Sequence, residues 1–291
     1  MQRLGVLLLW FLWRLLPPKG LAALGQRLGA LLYHVAPRRR RIADTNLRLC
    51  FPEWNEEKRR HMLKAHFEVL GCATLLECIT WWGTKEEVAN LVRIEGESQF
   101  QMHAGKPVIL LAPHFVGINA GGMRIITLGL VPPPANIFSP LRNQAMNDVI
   151  LEARTRFGGA KLFPRSAGIK PVLRALKQGS PLHYSPDLDY GRKDALFLPF
   201  FGVPAATVTG LSRIAKATDA VVVPCITRWD GKQYVTRFYP AWEDFPTQNV
   251  EADTRRMNAF IEERIRERPE QYFWVHRRFK TRPKGEPGVY D

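Results

Sequence analysis

Residues 107–122 read PVILLAPHFVGINAGG, an apolar run that ends in a proline, a histidine and a cluster of glycines. Residues 108–112 show no polar alternation, as expected for a strand covered on both faces of a parallel sheet, and Pro113 ends the run. Ligands of open α/β sheets bind just beyond the carboxyl ends of the strands, so His114 stands where chemistry is usually performed. A hydrogen-bonded structural histidine in a turn is the alternative from these residues alone.

The rest of the chain alternates short apolar runs with segments whose apolar residues recur at spacings of three and four. This alternation predicts one α/β domain with a mostly parallel central sheet flanked by helices. The predicted strands are residues 92–95, 108–112, 136–138, 182–185, 220–226 and 234–238, the last at an edge of the sheet. The predicted helices run from Asn55 toward Trp82, over residues 118–130, 147–157 and 169–176, from the 207–210 cap through Ala217, and around the apolar stripe of residues 257–265.

Charge is the unusual feature of the composition. The 291 residues include 42 Lys+Arg against 27 Asp+Glu, a formal net charge of +15. Such a surface attracts anions, whether phospholipid, nucleic acid, a phosphorylated substrate or an acidic protein. A hydrophobic content of 46% excludes a disordered chain. The four cysteines lack paired spacing and no zinc motif occurs, so we predict reduced, packed thiols and no metal site.

The N-terminal 41 residues carry eight basic side chains and no acidic one. Residues 4–13 form an apolar run of ten, which is short of the roughly 20 residues that span a bilayer. Residues 21–35 place leucines on one helical face and run into four arginines at 38–41. We therefore predict that residues 1–41 are a membrane-anchoring helical segment with cations at headgroup depth. A cleaved signal peptide is the alternative, which the lack of an adjoining small-residue cleavage site and the positive-inside rule disfavour.

Polar side chains follow several of the predicted strands. Arg142, Arg165 and Arg192 can converge on a phosphate or an oxyanion, because arginine presents a rigid fork of donors, although any one of them alone is more commonly surface charge. Asp187 and Asp189 follow the strand at 182–185, and can be acid/base groups, metal ligands or an ordinary Asp-rich turn.

A histidine that acts as a general base needs an acceptor that fixes its tautomer. Asn119 is the nearest candidate in the chain, since a helix that starts near Ile118 places residue 119 in its first turn, within reach of the loop that carries His114. No GxSxG elbow, Walker A loop or GxGxxG fingerprint occurs, so neither that type of serine hydrolase nor a nucleotide cofactor is supported.

Three further stretches carry a resemblance to a known family. These are SPDLDYGRK at residues 185–193, LPFFGVPAAT at 198–207 and PEQYFWVHRRFKTRP at 269–283. Together with the block around His114, they resemble the late, or secondary, lipid A acyltransferases of the lysophospholipid acyltransferase superfamily, over nearly the whole chain. The resemblance implies a glycerolipid acyltransferase-like fold for residues 42–291.

The resemblance also implies an activity, namely transfer of a fatty acyl chain from acyl carrier protein to a hydroxyl of a lipid A precursor or related membrane lipid. The enzyme is expected at the cytoplasmic face of the inner membrane, without a cofactor and without nucleic acid as a partner. His114 is expected to deprotonate the acceptor hydroxyl, with Asn119 and Asp187 as catalytic partners. The predicted substrate-binding residues are Arg142, Arg165, Ser166, Asp189, Arg192, Arg277 and Arg278.

Two positions depart from the family pattern. Asn119 stands where the family has Asp or Glu, and its amide can orient an imidazole but cannot stabilise an imidazolium with a full charge. Ser139 stands where many members carry a basic residue, which leaves Arg142 as the nearest substitute. The departures leave three alternatives open: chemistry rerouted through another acid such as Asp187, an acyltransferase with a different acceptor, and a non-catalytic lipid-binding paralogue.

Overall fold

The computed structural model describes residues 2–290, and at Gln2 the backbone alone. Met1 and Asp291, which begin and end the predicted segments 1–41 and 42–291, lie outside the described residues. The helices are α1 (Gln2–Leu15), α2 (Pro18–Val35), α3 (Pro37–Cys50), α4 (Glu56–Trp82), α5 (Lys85–Leu91), α6 (Ser98–Gln101), α7 (Ile118–Thr127), α8 (Gln144–Thr155), α9 (Lys170–Lys177), α10 (Gly210–Thr218) and α11 (Val250–Glu267). The strands are β1 (Val92–Glu95), β2 (Val108–Leu111), β3 (Ala135–Phe138), β4 (Lys161–Pro164), β5 (Leu182–Tyr184), β6 (Ala195–Phe200), β7 (Val203–Val208), β8 (Val221–Trp229) and β9 (Tyr234–Phe238).

Seven strands form the central sheet in the order β1-β9-β8-β2-β5-β3-β4. Every neighbouring pair is parallel except β8 and β9, which are antiparallel. In β2, Ile109 and Leu111 join one hydrophobic core while Val108 and Leu110 join another. Both faces of this strand are therefore covered, which explains its unbroken apolar run. The predicted α/β class with a mostly parallel sheet is confirmed.

The edge position predicted for residues 234–238 is wrong, because β9 lies between β1 and β8. Tyr234, Thr236 and Phe238 are buried, while Val235 and Arg237 are more exposed. This alternation shows that one face of a strand is less covered, but it does not reveal whether another strand pairs with each side of its backbone. The short partner β1 supplies that second pairing.

The sequence predictions also lack β4 and an antiparallel hairpin formed by β6 and β7. The hairpin turns at Phe201 and Gly202, whose φ angles of 52° and 77° are both in the left-handed region. Two consecutive positive φ angles are typical of the tight turns that match the twist of paired strands. Pro199 and Pro204 pair across the hairpin, and prolines within a run conceal a strand from pattern analysis.

The helix predicted from Asn55 is confirmed as α4, where the Asn55 side chain accepts a hydrogen bond from the Lys58 N–H at 2.8 Å. Helix α2 packs on α4 through glycines, and a Cβ atom added at Gly29 or Gly71 would collide with backbone of the other helix. Helix α3 continues through the predicted boundary at residue 41 and buries Leu47 in the main core. Within residues 2–290, no helix is long and apolar enough to cross a membrane.

Candidate active site

The register of the parallel strands brings two loops together at one edge of the sheet. Leu111 of β2 lies opposite Tyr184 of β5. His114 lies three residues after Leu111, and Asp187 lies three residues after Tyr184. The two side chains therefore meet, although they are 73 residues apart in the sequence. Strands β3 and β4 continue the same sheet, so the loops that carry Arg142 and Arg165 end at this edge as well. This is the edge where ligands bind in open α/β sheets.

His114 and Asp187 form a doubly hydrogen-bonded pair. The backbone N–H of His114 donates to Asp187 Oδ2 at 2.8 Å, and its ring Nδ1 lies 2.7 Å from Oδ1. The Asp187 side chain is 1% exposed, whereas the imidazole is 23% exposed. Burial alone would raise the pKa of Asp187, but the facing His114 ring and the two donated hydrogen bonds hold it below its usual value. An ionised Asp187 keeps the proton on Nδ1 and leaves Nε2 free to accept one.

The C-terminal segment holds this pair in place from one side. The Phe273 N–H donates to the His114 carbonyl at 3.0 Å, and the Val116 N–H donates to the Gln271 carbonyl at 2.9 Å. Tyr272 is buried and its hydroxyl lies 3.4 Å from the Asp187 carbonyl. The aromatic stretch at 269–283 therefore braces the two loops that carry His114 and Asp187.

Asp189 fastens the same loop to the C-terminal segment. Its carboxylate accepts hydrogen bonds from the Thr281 N–H at 2.6 Å, the Thr281 hydroxyl at 2.8 Å and the Gly191 N–H at 2.9 Å. Its own N–H donates to His276 Nε2 at 3.0 Å. Burial, His114 and Arg278 lower the pKa of His276 to about 4, so this nitrogen remains an acceptor at neutral pH. In the structure, both oxygens of the Asp189 carboxylate are thus engaged in fixing this loop, and the predicted substrate contact stays a prediction.

Arg278, which was predicted to contact substrate, lies away from solvent in the structure. Its side chain is buried, and it donates to the Ala206 carbonyl at 2.9 Å and to the Thr207 hydroxyl at 2.8 Å beneath the β6–β7 hairpin. Arg192 donates to the Arg282 carbonyl at 2.6 Å. Two of the predicted cations are therefore used to tie the C-terminal segment to the domain.

Three predicted residues remain exposed at the strand-end edge, namely Arg142, Arg165 and Ser166. The guanidinium of Arg165 lies 4.0 Å from the centre of the Tyr190 ring, in the loop that follows Asp187. Stacking on an aromatic ring fixes the plane of a guanidinium while its N–H groups stay available to an anion. Arg277 is half-buried and lies 5.8 Å from the Tyr290 ring, on the C-terminal segment.

The contact predicted between Asn119 and His114 is replaced by a different one. Asn119 Nδ2 donates to Glu77 Oε1 at 2.7 Å, and its Oδ1 accepts from Arg154 at 3.4 Å. Residue 119 is indeed in the first turn of α7, but its side chain points to α4 and α8, while the imidazole turns toward the β5 loop. Asp187 occupies the place that was expected of Asn119.

Glu77, Arg154 and His183 were not predicted from the sequence, and they line a pocket together with Asn119 and Asn136. His183 belongs to β5, the strand that leads to Asp187. The apolar wall of the pocket comes from Trp81, Met123, Ile150 and Ala153. Burial, Arg154 and His114 together lower the pKa of His183 to about 4. A signal for Glu77 existed, because it is the one charged residue between positions 71 and 84 of the sequence, whereas Arg154 carries no comparable signal.

Comparison with known proteins gives a consistent result. The family model for bacterial lipid A biosynthesis acyltransferases matches residues 3–281. The lipid A biosynthesis palmitoleoyltransferase of Escherichia coli K12 is 35% identical over 98% of this chain and 93% of its own length. The lauroyltransferase of the same organism is 34% identical over 99% and 94%, and its myristoyltransferase is 31% identical over 95% and 86%.

Among solved structures, a 1-acyl-sn-glycerophosphate acyltransferase of Thermotoga maritima is similar over 84% of this chain and 94% of that chain, at 16% identity and a TM-score of 0.39. That likeness is too distant to support a functional inference. The family model covers residues 3–281 of this chain, and the three relatives are similar over most of both sequences, so these matches do support a functional inference. The chain belongs to the bacterial lipid A biosynthesis acyltransferase family.

Proposed function

We propose that this protein transfers a fatty acyl chain from acyl carrier protein to a hydroxyl group of a lipid A precursor or a related membrane lipid. The observation that carries the proposal is the His114–Asp187 pair, a partly exposed imidazole held by a buried carboxylate, in a chain of this family. A histidine fixed in this way is a general base with a free nitrogen directed away from its acid partner.

The proposed reaction needs one proton transfer in each direction. His114 Nε2 accepts the proton of the acceptor hydroxyl as its oxygen attacks the thioester carbonyl of the donor. The tetrahedral intermediate then collapses, its C–S bond breaks, and the departing thiolate takes the proton from the imidazolium. Asp187 remains ionised throughout and stabilises the imidazolium at 2.7 Å.

The charge of the protein suits anionic substrates. Arg165 and Arg142 are exposed at the edge of the sheet that carries the pair, where they can contact a lipid phosphate. The net charge of +15 attracts both an acidic carrier protein and an anionic membrane. Attraction of this kind raises the rate of encounter more than it raises affinity.

The membrane surface that we propose is the outer face of α1 and the end of α2. Large apolar side chains are exposed on these helices, namely Leu4, Leu7, Leu8, Trp10, Phe11, Leu15, Leu28, Leu31, Leu32 and Val35. The opposite face of α1 packs inward through Leu9 and Trp13. Exposed Arg14 and Lys19 lie beside the apolar side chains, as in helices that bind at the headgroup boundary. We infer binding at the cytoplasmic face of the inner membrane.

Replacement of Leu4, Leu7, Leu8 and Phe11 by serine is expected to lower binding to anionic phospholipid vesicles by at least about tenfold, since each buried apolar side chain contributes roughly 1.5–3 kcal/mol. Sedimentation of the protein with vesicles measures this. The control is Met102→Ser with Val131→Ser, since both side chains are exposed and lie outside α1 and α2. Equal losses in the two variants, or no loss in the first, would contradict the assigned surface.

The activity is tested with purified protein, fatty-acyl carrier protein and a panel of lipid acceptors that includes lipid A precursors. Mass spectrometry of the lipids is expected to show an added acyl chain on an acceptor hydroxyl, with release of free carrier protein thiol. If the wild-type protein binds these lipids and transfers nothing, the acyltransferase proposal fails and a lipid-binding role on the same fold replaces it.

A further inference from the structure

We propose that Glu77 is a positioning residue for acyl transfer. Its carboxylate, bound by Asn119, balances the charge of Arg154 beside the His114–Asp187 pair. The inference rests on the proposed function, and it assigns a role to a polar cluster, with Glu77 and Arg154 half-buried and Asn119 exposed, that the proton transfers above do not use.

The geometry singles out Asn119 as a bridge. Its amide nitrogen donates to Glu77 Oε1 at 2.7 Å, and its amide oxygen accepts from Arg154 at 3.4 Å. The second side-chain partner of Arg154 is Asn136 Oδ1 at 3.5 Å. Both hydrogen bonds of this guanidinium are long, and both acceptors are neutral amides. The negative charge that balances Arg154 therefore comes from Glu77, on the other side of the Asn119 amide. A primary amide is suited to this place because it donates to a carboxylate and accepts from a guanidinium at once.

Glu77 and Arg154 each favour the charged form of the other. Burial raises the pKa of Glu77, while the Asn119 hydrogen bond and Arg154 lower it. Burial lowers the pKa of Arg154, and Glu77 raises it. A buried ion that loses its counter-charge is strongly destabilised. The pair is therefore expected to hold its charges, and its position, only while both members are present.

The cluster adjoins the strand ends from which the catalytic loops start. His183 lines the same pocket as Glu77, Asn119 and Arg154. It lies opposite Leu110, one residue before the paired Leu111 and Tyr184 that precede the loops of His114 and Asp187. Without Glu77, the uncompensated charge of Arg154 opposes formation of the imidazolium on His114. Loss of Glu77 should therefore lower kcat more than it raises KM, because the imidazolium exists only after the substrate is bound.

A cycle of substitutions tests whether the position of the carboxylate matters. Glu77→Gln removes the charge and is expected to lower kcat about tenfold or more. Asn119→Asp places a second carboxylate at hydrogen-bond distance from the first, which like charges disfavour, and is also expected to lower kcat. The double variant again has one carboxylate and one amide, with their places exchanged. We expect kcat of the double variant to be at least about tenfold higher than that of the less active single variant.

The matched control is Glu68→Gln, the same chemical change at an exposed position of the same helix, with kcat expected within about twofold of wild type. Thermal melting shows whether each variant is folded. The proposal is overturned if Glu77→Gln keeps wild-type kcat, or if the double variant shows only the product of the two single losses. A wild-type protein without transferase activity overturns the proposed function itself, and this role with it; an active wild type with a failed rescue overturns only the role of Glu77.

Discussion

His114→Ala is expected to lower kcat for acyl transfer by about 10³-fold, within the range that a positioned general base contributes. The imidazole is the partly exposed member of the pair, and its Nε2 is the nitrogen left free when Asp187 holds Nδ1. Without this nitrogen, the acceptor hydroxyl must attack with its proton still bound. Because the effect is on the chemical step, KM should change far less than kcat.

Initial rates of thiol release from the acyl carrier protein, over a range of lipid concentrations, separate these two constants. The control is His61→Ala, which removes an exposed histidine from the surface of α4. It should retain activity within about twofold of wild type. Transfer by His114→Ala at more than about a tenth of the wild-type rate would show that the imidazole is not the base.

The sequence predicts the positions of the polar loops better than it predicts which side chains meet. The apolar run of β2 and the turn after Pro113 are local features, so His114 could be placed at a strand end without a structure. Its partner could not be placed in this way. Asn119 is near in the chain, but the direction of its side chain is set by Glu77 and Arg154 on other helices.

Asp187 reaches His114 through the register of β2 with β5, a long-range property that no local pattern reports. The same limit applies to the C-terminal signature. Its basic residues suggest a substrate surface, yet Arg278 is 2% exposed and serves the β6–β7 hairpin. The charge of Arg278 is visible in the sequence, whereas the burial of that charge is decided by packing from distant segments.

The resemblance described from the sequence implies an acid at position 119, where this chain has Asn. Asp187 already supplies a buried carboxylate to the imidazole, through two hydrogen bonds. A second acid at 119 would face Glu77 at about the 2.7 Å of the present contact. A neutral asparagine at position 119 is therefore compatible with the two carboxylates present, Asp187 on the imidazole and Glu77 on the Asn119 amide.

Asp187→Asn is expected to lower kcat by about 10³–10⁴-fold, although the side chain keeps its size. The amide can donate to Nδ1 of His114, which would place the ring proton on Nε2 and leave no acceptor for the substrate proton. The substitution also removes the negative charge that lies 2.7 Å from Nδ1 and stabilises the imidazolium. The same kinetic assay measures the loss, with Asp194→Asn, an exposed carboxylate in the following loop, as the control.

The pH dependence of stability gives an independent check on Asp187→Asn. Because the folded pKa of Asp187 lies below its usual value, ionised Asp187 stabilises the fold above the unfolded value of about 3.9, and this contribution is lost as pH falls through the folded value. As pH falls from the unfolded to the folded pKa of Asp187, the free energy of unfolding of the wild type should therefore decrease relative to that of the Asn variant. Urea unfolding at several pH values measures this difference. An Asn variant that keeps more than about a tenth of wild-type kcat would show that Asp187 does not hold the imidazole in its reactive tautomer. An Asn variant with the same acid dependence as wild type would show that the folded pKa of Asp187 is not lowered.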